Sequence, residues 1–273
     1  MTSAADKQAS LPINATADAV GPKRQTLNVI GTPIDVISAA AAVQRIAGWA
    51  ARRESRYVCI CNTHSVVTAS RNQHFMQVLT GADMATPDGA PVAWLLRRSG
   101  ASGQPRVNGP DLMLNFCAAA AADQTGIYLY GGTDDTLQKL RARLLTQWPH
   151  LRIVGMHSPP FRALTADEDR AVVTAINASG AGSVWVSLGC PKQEQWMAAH
   201  RGRVHAVMVG VGAAFDFHAG TITRAPLWMR NSGLEWLHRF ASEPRRLWKR
   251  YLVTNTLFIL AATRQLLQRR FGT

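Results

Sequence analysis

The hydrophobic and polar positions along the chain form two alternating kinds of segment. Short runs that are almost entirely apolar are typical of buried strands, whereas longer segments with apolar residues every three or four positions are typical of helices. Four apolar runs in the second half alternate with helical segments, at Gly126–Tyr130, Leu151–Val154, Ser183–Leu188 and Ala206–Val211. Because such strands must be covered on both sides, the pattern predicts an α/β fold with a parallel sheet and helices on both faces.

The first half of the chain continues this alternation. Extended segments are predicted at Thr26–Ile30 and Ile34–Val36, a buried strand at Tyr57–Cys61, and helices at Ala39–Arg52, His64–Leu79, Gly89–Arg98 and Pro110–Ala122. Residues 1–25 are rich in Ala, Ser, Thr and Asp, which predicts a disordered lead. Basic and aromatic residues dominate from about Ala225, so residues 26–224 are interpreted as an α/β domain and residues 225–273 as a helical basic C-terminal appendage.

Glycine-rich turns follow three of the predicted strands. Ligands of parallel α/β sheets bind beyond the carboxyl ends of the strands, and free backbone N–H groups at such turns can hold a diphosphate. Gly131, Gly132 and Gly212 are therefore candidate substrate-binding residues, although the first two also fit an ordinary turn before a helix capped by Thr133. The Gly210-Val211-Gly212 turn begins like a dinucleotide fingerprint but lacks the acidic residue that should follow, so no nicotinamide cofactor is predicted.

Asp88 lies in the turn Pro87-Asp88-Gly89, directly before a predicted helix. Taken alone, this position favours a helix cap. The alternative role is a general base that accepts a proton from an attacking hydroxyl group. The two roles are compatible, because a helix N-terminus favours the charged carboxylate, which would keep Asp88 ionised at neutral pH and make it a weak base.

No metal site is predicted. Asp167-Glu168-Asp169 contains the D-x-D string by which many sugar transferases hold a divalent cation, but Thr165 and Glu168 together favour a capping box at a helix start. The cysteines show neither a CxxC pair nor a zinc-binding spacing with histidine. We interpret all four as reduced thiols: Cys59, Cys61, Cys117 and Cys190.

The net charge of +13 is concentrated near the C-terminus. The chain from Arg224 onward contains ten Lys or Arg residues and two acids, which accounts for +8 of that charge. Aromatic residues are interleaved with these cations, a mixture that suits an interfacial helix on anionic lipid or single-stranded nucleic acid. It also suits a helix that packs its aromatic residues on the main domain. No run of apolar residues reaches the ~20 needed to span a bilayer.

Five segments of the chain occur in the same order as in the WecG/TagA/CpsF family of glycosyltransferases (glycosyltransferase family 26). They are Ala85–Gly89, Arg106–Met113, Leu188–Glu194, Gly210–Asp216 and Arg224–Leu237. Through them the chain from about Leu27 to Arg250 resembles the family, and within it the GumM-like exopolysaccharide branch. The resemblance implies a Rossmann-like catalytic domain with an appendage that docks on a membrane.

The resemblance also implies an inverting, metal-independent hexosyltransferase that uses no cofactor. It would move glucose or an N-acetylmannosamine-type sugar from a UDP-sugar to a polyprenyl-diphosphate-linked monosaccharide, for cell-surface or exopolysaccharide synthesis. The base corresponds to Asp88, and Asn62, Arg106 and Gln193 correspond to substrate-binding residues. The acceptor diphosphate is expected to meet appendage arginines, predicted as Arg239, Arg245 and Arg246, with a further cation near Lys249.

One segment departs from the family pattern. Some relatives carry Thr-Pro where this chain has Ile60-Cys61, so a hydroxyl thought to contact the substrate is absent. Its role is left to Thr63 or His64, or the donor sugar differs.

The expected location is peripheral, on the cytoplasmic face of the bacterial plasma membrane. The expected partners are the UDP-sugar, the lipid-linked acceptor and the membrane surface, and homo-oligomerisation stays open. Two other classes of protein also stay open. A nucleic-acid-binding protein would explain the charge, and a nucleotide-cofactor oxidoreductase would explain the glycine turns, although nucleic acid is not among the predicted partners.

Overall fold

A parallel sheet forms the centre of the protein, for which the computed structural model describes residues 24–271 apart from the side chains of Asn231, Arg246, Lys249 and Arg250. The strands are β1 (Thr26–Val29), β2 (Thr32–Asp35), β3 (Arg56–Cys61), β4 (Met84–Pro87), β5 (Ile127–Gly131), β6 (Ile153–His157), β7 (Ser183–Ser187) and β8 (Val207–Gly210). A six-stranded sheet has the order β4-β3-β8-β7-β5-β6 with every pairing parallel, and β1 and β2 form a separate antiparallel hairpin. The predicted α/β fold is confirmed.

Helices cover both faces of the sheet. They are α1 (Ala39–Ala51), α2 (Thr63–Arg71), α3 (Gln73–Thr80), α4 (Ala90–Arg98), α5 (Gly109–Ala122), α6 (Asp134–Gln147), α7 (Ala166–Ala178), α8 (Lys192–His200), α9 (Ala214–Ala219), α10 (Leu227–Asn231), α11 (Glu235–Ser242) and α12 (Pro244–Phe271). Side chains alternate across each strand, so in β3 Val58 and Ile60 join one buried cluster while Cys59 and Cys61 join the other. The first cluster packs on α1, α5, α6 and α9, and the second packs on α2, α3, α4, α7, α8 and α12.

Strand β4 is absent from the elements that the sequence predicts. Its four residues, Met84 to Pro87, are all buried, and it pairs with β3 at the edge of the sheet. The proline is tolerated because it ends an edge strand, where one side of the backbone needs no ladder partner. The consequence is functional, since Asp88 now stands at the carboxyl end of β4, beside the carboxyl end of β3.

The predicted helix over His64–Leu79 is two helices. The chain breaks at Asn72, whose backbone is extended and whose side chain accepts a hydrogen bond from the Phe75 N–H and so caps α3. The four cysteines are free thiols, as predicted.

The strand order creates a crevice between β3 and β8. The helices that follow these neighbouring strands lie on opposite faces of the sheet: α2 contributes to one buried cluster and α9 to the other. The loops therefore diverge beyond the two strand ends, which is the place where open α/β sheets bind ligands.

The C-terminal helix α12 packs on the α/β domain along one face. Phe258 and Ala262 are buried in the same cluster as Val66 of α2, and the Gln265 side chain accepts from the Ile30 N–H and donates to the Asn28 carbonyl of the hairpin. Within residues 24–271, none of the helices combines the length and apolar composition that crossing a bilayer requires. The predicted disordered lead lies outside the described residues, except for Arg24 and Gln25.

Candidate active site

A cavity of about 610 Å³ occupies the crevice at the carboxyl ends of β3, β4, β7 and β8. Its floor includes Asn62 after β3, Asp88 after β4, Gly189 after β7 and Gly212 after β8. Residues of α11 and α12 line the opposite side, among them Trp236, Arg239, Tyr251, Asn255 and Phe258. The appendage therefore forms one wall of the cavity rather than a separate body.

Asp88 reaches this cavity without capping α4. The N-cap of α4 is Gly89, which has a φ of 80° and no side-chain cap. The Asp88 Oδ1 atom accepts a hydrogen bond of 2.7 Å from the Gly89 N–H, and the Asp88 N–H donates to the Cys61 carbonyl across the strand ends. The cap interpretation is therefore wrong for Asp88, because the positive φ of the intervening glycine turns the chain before the helix begins.

The pKa of Asp88 is raised to about 6. Burial is the largest cause, because it penalises the charged carboxylate; the nearby Arg106 guanidinium opposes the shift and the Glu235 carboxylate adds to it. The expected low pKa and weak base are thus wrong, since burial outweighs the charge of Arg106 and the hydrogen bond from the Gly89 N–H. A carboxylate with a pKa near 6 is ionised at neutral pH and still basic enough to take up a proton.

Arg106 is held beside Asp88 by backbone pairing. The Val107 N–H donates to the Pro87 carbonyl at 2.8 Å, so the loop before α5 runs alongside the end of β4. The Arg106 guanidinium forms a salt bridge of 3.0 Å with Glu235, the first residue of α11. Burial of both partners makes this pair stronger than one at the surface.

Glu235 also contacts a second arginine. Its Oε1 atom lies 3.4 Å from the Nε of Arg224, which in turn donates to Asp111 at 2.5 Å and to the side-chain oxygen of Asn108 at 3.1 Å. Arg230 extends the network to Asp111. An alternating chain of partly buried charges thus joins the α/β domain to the appendage next to the cavity.

Gln193 and Glu194 lie in the first turn of α8, and both line the cavity. The Gln193 side chain accepts a hydrogen bond of 3.0 Å from the Gly212 N–H and donates to Glu194 at 2.9 Å. Burial raises the pKa of Glu194, against the bond from Gln193. Gly210 has no room for a Cβ, which would lie 2.8 Å from Met197 and 3.0 Å from Gln193. The side chain of Gln193 therefore fixes the loop after β8.

The sequence model of the WecG/TagA/CpsF glycosyltransferase family matches residues 27–272. The chain belongs to this family. Its members are glycosyltransferases of cell-surface polysaccharide synthesis, so this chain is a sugar transferase whose substrates are a sugar donor and an acceptor.

The predicted substrate-binding residues come together in part. Asn62, Arg106, Gln193, Gly212 and Arg239 line the same cavity as Asp88. Asn62 also caps α2, because its Oδ1 atom accepts from the N–H groups of His64 and Ser65.

The two glycines after β5 are not brought to the cavity. The Gly132 N–H donates to the Ser187 carbonyl at 3.2 Å, and Thr133 caps α6. Gly131 has a φ of 112° and packs so closely on Ser187 that a Cβ would lie 2.4 Å from its carbonyl oxygen. Both glycines therefore serve the backbone geometry of the turn between β5 and α6.

The appendage arginines occupy different positions. Arg239 lines the cavity, with its guanidinium 5.6 Å from the centre of the Phe217 ring. Arg245 is exposed and does not line the cavity. The side chain of Arg246 lies outside the described residues.

Two residues, Ile60 and Cys61, depart from the family pattern, and only one of them lines the cavity. Ile60 lines the cavity, whereas Cys61 is fully buried on the other face of β3. Thr63 and His64, at the start of α2, also line the cavity.

The D-x-D string is engaged in helix capping and ion pairs. Thr165 and Glu168 form the predicted capping box, Asp167 pairs with Arg170, and Asp169 pairs with His200 and Arg203. None of these acids lines the cavity. Among the residues that the structure describes, no cluster of three or more His, Cys, Asp or Glu side chains has the arrangement of a metal site.

The sequence suggests no role for Glu235 or Trp94, and it places Trp236 among the aromatic residues of the interfacial appendage rather than in the cavity. Both tryptophans line the cavity and are about half exposed, at 40% and 44%. Such rings can stack on a sugar or a base. Glu235 lies in the same family segment as its partner Arg224, but its other partner, Arg106, is distant in sequence, so only the fold reveals that contact.

Proposed function

We propose that the protein is an inverting, metal-independent hexosyltransferase of the GumM-like exopolysaccharide branch. It moves a hexose from a UDP-sugar to a polyprenyl-diphosphate-linked monosaccharide. The observation that carries this proposal is Asp88, a carboxylate with a raised pKa at the floor of the crevice, next to Arg106. A base and a diphosphate-binding cation side by side are what glycosyl transfer from a nucleotide donor requires.

In the proposed reaction Asp88 accepts the proton of an acceptor hydroxyl. The hydroxyl oxygen forms a bond to the anomeric carbon of the donor as the bond from that carbon to the diphosphate oxygen breaks. Attack from the face opposite the leaving group inverts the configuration. UDP leaves with the electron pair, and its added negative charge must be stabilised inside the cavity.

Side chains supply that stabilisation in our proposal. The Gly132 and Gly212 N–H groups already donate within the protein, so they are poor candidates for binding a diphosphate. Arg106 and Arg239 are the cations that line the cavity among the described side chains. Guanidinium groups bind phosphate oxygens in a bidentate manner, which lysine cannot reproduce.

Helix α12 supports docking on the cytoplasmic face of the plasma membrane. Large apolar side chains are exposed along this helix, namely Trp248, Leu252, Val253, Ile259, Leu260, Leu267 and Phe271. Basic residues occur along the same helix, among them Arg245, Arg264 and Arg270. An apolar band with flanking cations favours an anionic lipid surface, where a lipid-linked acceptor would be found.

The double substitution Val253→Glu/Leu260→Glu is expected to weaken membrane binding. It places two carboxylates on the exposed apolar face, away from the cavity lining. Flotation with vesicles containing phosphatidylglycerol should show binding reduced by about tenfold or more, since acidic residues disfavour the interface. Gln138→Glu/Gln147→Glu adds the same charge to exposed positions of α6 and should bind as the wild type does. If the wild type and both double variants bind the vesicles equally, the exposed apolar face of α12 does not contribute to membrane binding.

The pH dependence of kcat/KM should follow the ionisation of Asp88. Because a base must be unprotonated and the pKa of Asp88 is about 6, kcat/KM should rise through pH 6 and level off above about pH 7. Glu235→Gln should move this limb to lower pH, because the Glu235 carboxylate raises the pKa of Asp88. Steady-state rates between about pH 5 and 9 would check this, and a flat profile down to pH 5 would contradict it.

The proposal is tested by UDP release from a panel of UDP-sugars. The full chain is incubated with each donor, with and without a synthetic prenyl-diphosphate monosaccharide. We expect one donor, of the glucose or N-acetylmannosamine type, to release UDP in proportion to acceptor added. Release from no donor would overturn the proposal, as would equal release without the acceptor.

A further inference from the structure

Helix α11 brings an acidic side chain into a cavity that is proposed to bind anions. Glu235, Trp236 and Arg239 of this helix all line the cavity. Glu235 is the only acid of α11 to do so, and its side chain is 16% exposed. A buried carboxylate in a diphosphate site should repel the substrate, so its presence requires an explanation.

The two oxygens of Glu235 engage two different guanidinium groups. Oε2 lies 3.0 Å from Arg106 Nη1 and Oε1 lies 3.4 Å from Arg224 Nε. The side chains of Arg106 and Arg224 are 19% and 14% exposed. A phosphate group binds arginines in the same way, with separate oxygens directed to separate guanidinium groups.

The guanidinium of Arg106 needs an anionic partner at this position. A buried arginine without a partner is costly, and Arg106 would otherwise turn to Asp88, which also lines the cavity. Direct pairing with Arg106 would hold Asp88 in its charged form and make it a poorer proton acceptor. Pairing with Glu235 balances the charge of Arg106 and leaves Asp88 available to accept a proton.

We propose that Glu235 is an internal placeholder for the substrate diphosphate. It pairs with Arg106 and Arg224, and a bound diphosphate displaces it from Arg106. The inference rests on the proposed function in one respect, that Arg106 binds the diphosphate. It goes further by assigning to the appendage an acid that competes with the ligand and keeps the arginines arranged for it.

Titration of the full-length Glu235→Gln variant with inorganic pyrophosphate, followed by calorimetry, tests the placeholder. Glutamine has the same shape, but it removes the competing charge. We expect pyrophosphate to bind tighter by on the order of tenfold, the size expected when one charge-assisted hydrogen bond no longer competes. UDP should show a gain in the same direction.

Two further variants separate this mechanism from a general effect of charge. Glu243→Gln removes the same charge from the end of α11, outside the cavity lining, and should change affinity by less than about twofold. In Arg106→Gln/Glu235→Gln the gain should disappear relative to Arg106→Gln alone, because the placeholder acts through Arg106. A gain that persists in the double variant would overturn the inference, as would unchanged or weaker binding by Glu235→Gln.

Folding of the variant is checked by thermal unfolding. If Glu235→Gln does not fold, Glu235→Asp keeps the charge and shortens the side chain; it should also bind pyrophosphate tighter, and wild-type affinity would overturn the inference. Failure of the proposed function is recognised separately. It would appear as no pyrophosphate binding by the wild type, whereas wild-type binding without a gain in the Glu235 variants removes the placeholder alone.

Discussion

Replacing Asp88 with asparagine is expected to lower kcat by about 10²–10⁴-fold, the range for loss of a general base. Asparagine has nearly the same shape, and its carbonyl oxygen can still accept from the Gly89 N–H as the Asp88 carboxylate does. It cannot take up the proton of the acceptor hydroxyl. The dissociation constant for UDP should therefore stay within about twofold of the wild-type value, because the lost interaction belongs to the transition state.

Steady-state UDP release and calorimetric titration with UDP measure these two quantities. The matched control is Asp111→Asn, which removes a partly buried carboxylate at the same end of the sheet that does not line the cavity. Its kcat should stay within about fivefold, since an asparagine can still accept from Arg224. If Asp88→Asn keeps kcat at the level of this control, Asp88 is not the base.

Replacing Arg106 with glutamine should lower kcat/KM by on the order of 10²–10³-fold, as for loss of one donor to a developing negative charge. Arg106 lines the cavity and is held near Asp88 by the pairing of Val107 with Pro87. Its charge lowers the pKa of Asp88, so the acid limb of the pH profile should also move to higher pH. Arg106→Lys should recover the position of the limb better than the rate, because lysine keeps the charge but not the bidentate geometry.

The position of the acid limb in the pH profile of kcat/KM distinguishes loss of the Arg106 charge from a general loss of structure. Arg230→Gln is the matched control, because Arg230 belongs to the same ion-pair network through Asp111 but does not line the cavity. Its kcat/KM and pH limb should stay close to those of the wild type. An Arg106→Gln variant within about tenfold of wild-type kcat/KM, or a limb that moves to lower pH, would contradict the role given to Arg106.

The alternating apolar runs predict most of the fold because strands buried on both faces have few alternatives. They miss β4, whose Met-Ala-Thr-Pro sequence is short and ends in a residue that disfavours strands. The pattern also joins α2 and α3, because their apolar spacing continues across Asn72 while the side chain of that residue starts a new helix. Periodicity reports which residues face the core, and it does not report such local competition for hydrogen bonds.

The chemistry of the site is predicted less completely. The local sequence around Asp88 suggests a capped helix and a low pKa, whereas Gly89 displaces the cap and burial sets the pKa. The residues that surround Asp88, including Arg106 and Glu235, come from distant segments, so their combined effect depends on tertiary contacts. For the same reason the glycines after β5 look like a diphosphate site in sequence, although the Gly132 N–H is already bonded to Ser187.

The central claim is sugar transfer with inversion, without a metal ion, onto a lipid-linked acceptor. It is tested most directly by the anomeric configuration of the product, measured by NMR after reaction of the full chain in excess EDTA. The donor is the UDP-sugar that supports UDP release, and the acceptor is a synthetic prenyl-diphosphate monosaccharide. We expect a lipid-linked disaccharide whose new glycosidic bond has the configuration opposite to that in the donor. A bond with the donor's own configuration, or no product in EDTA when untreated enzyme is active, would contradict it.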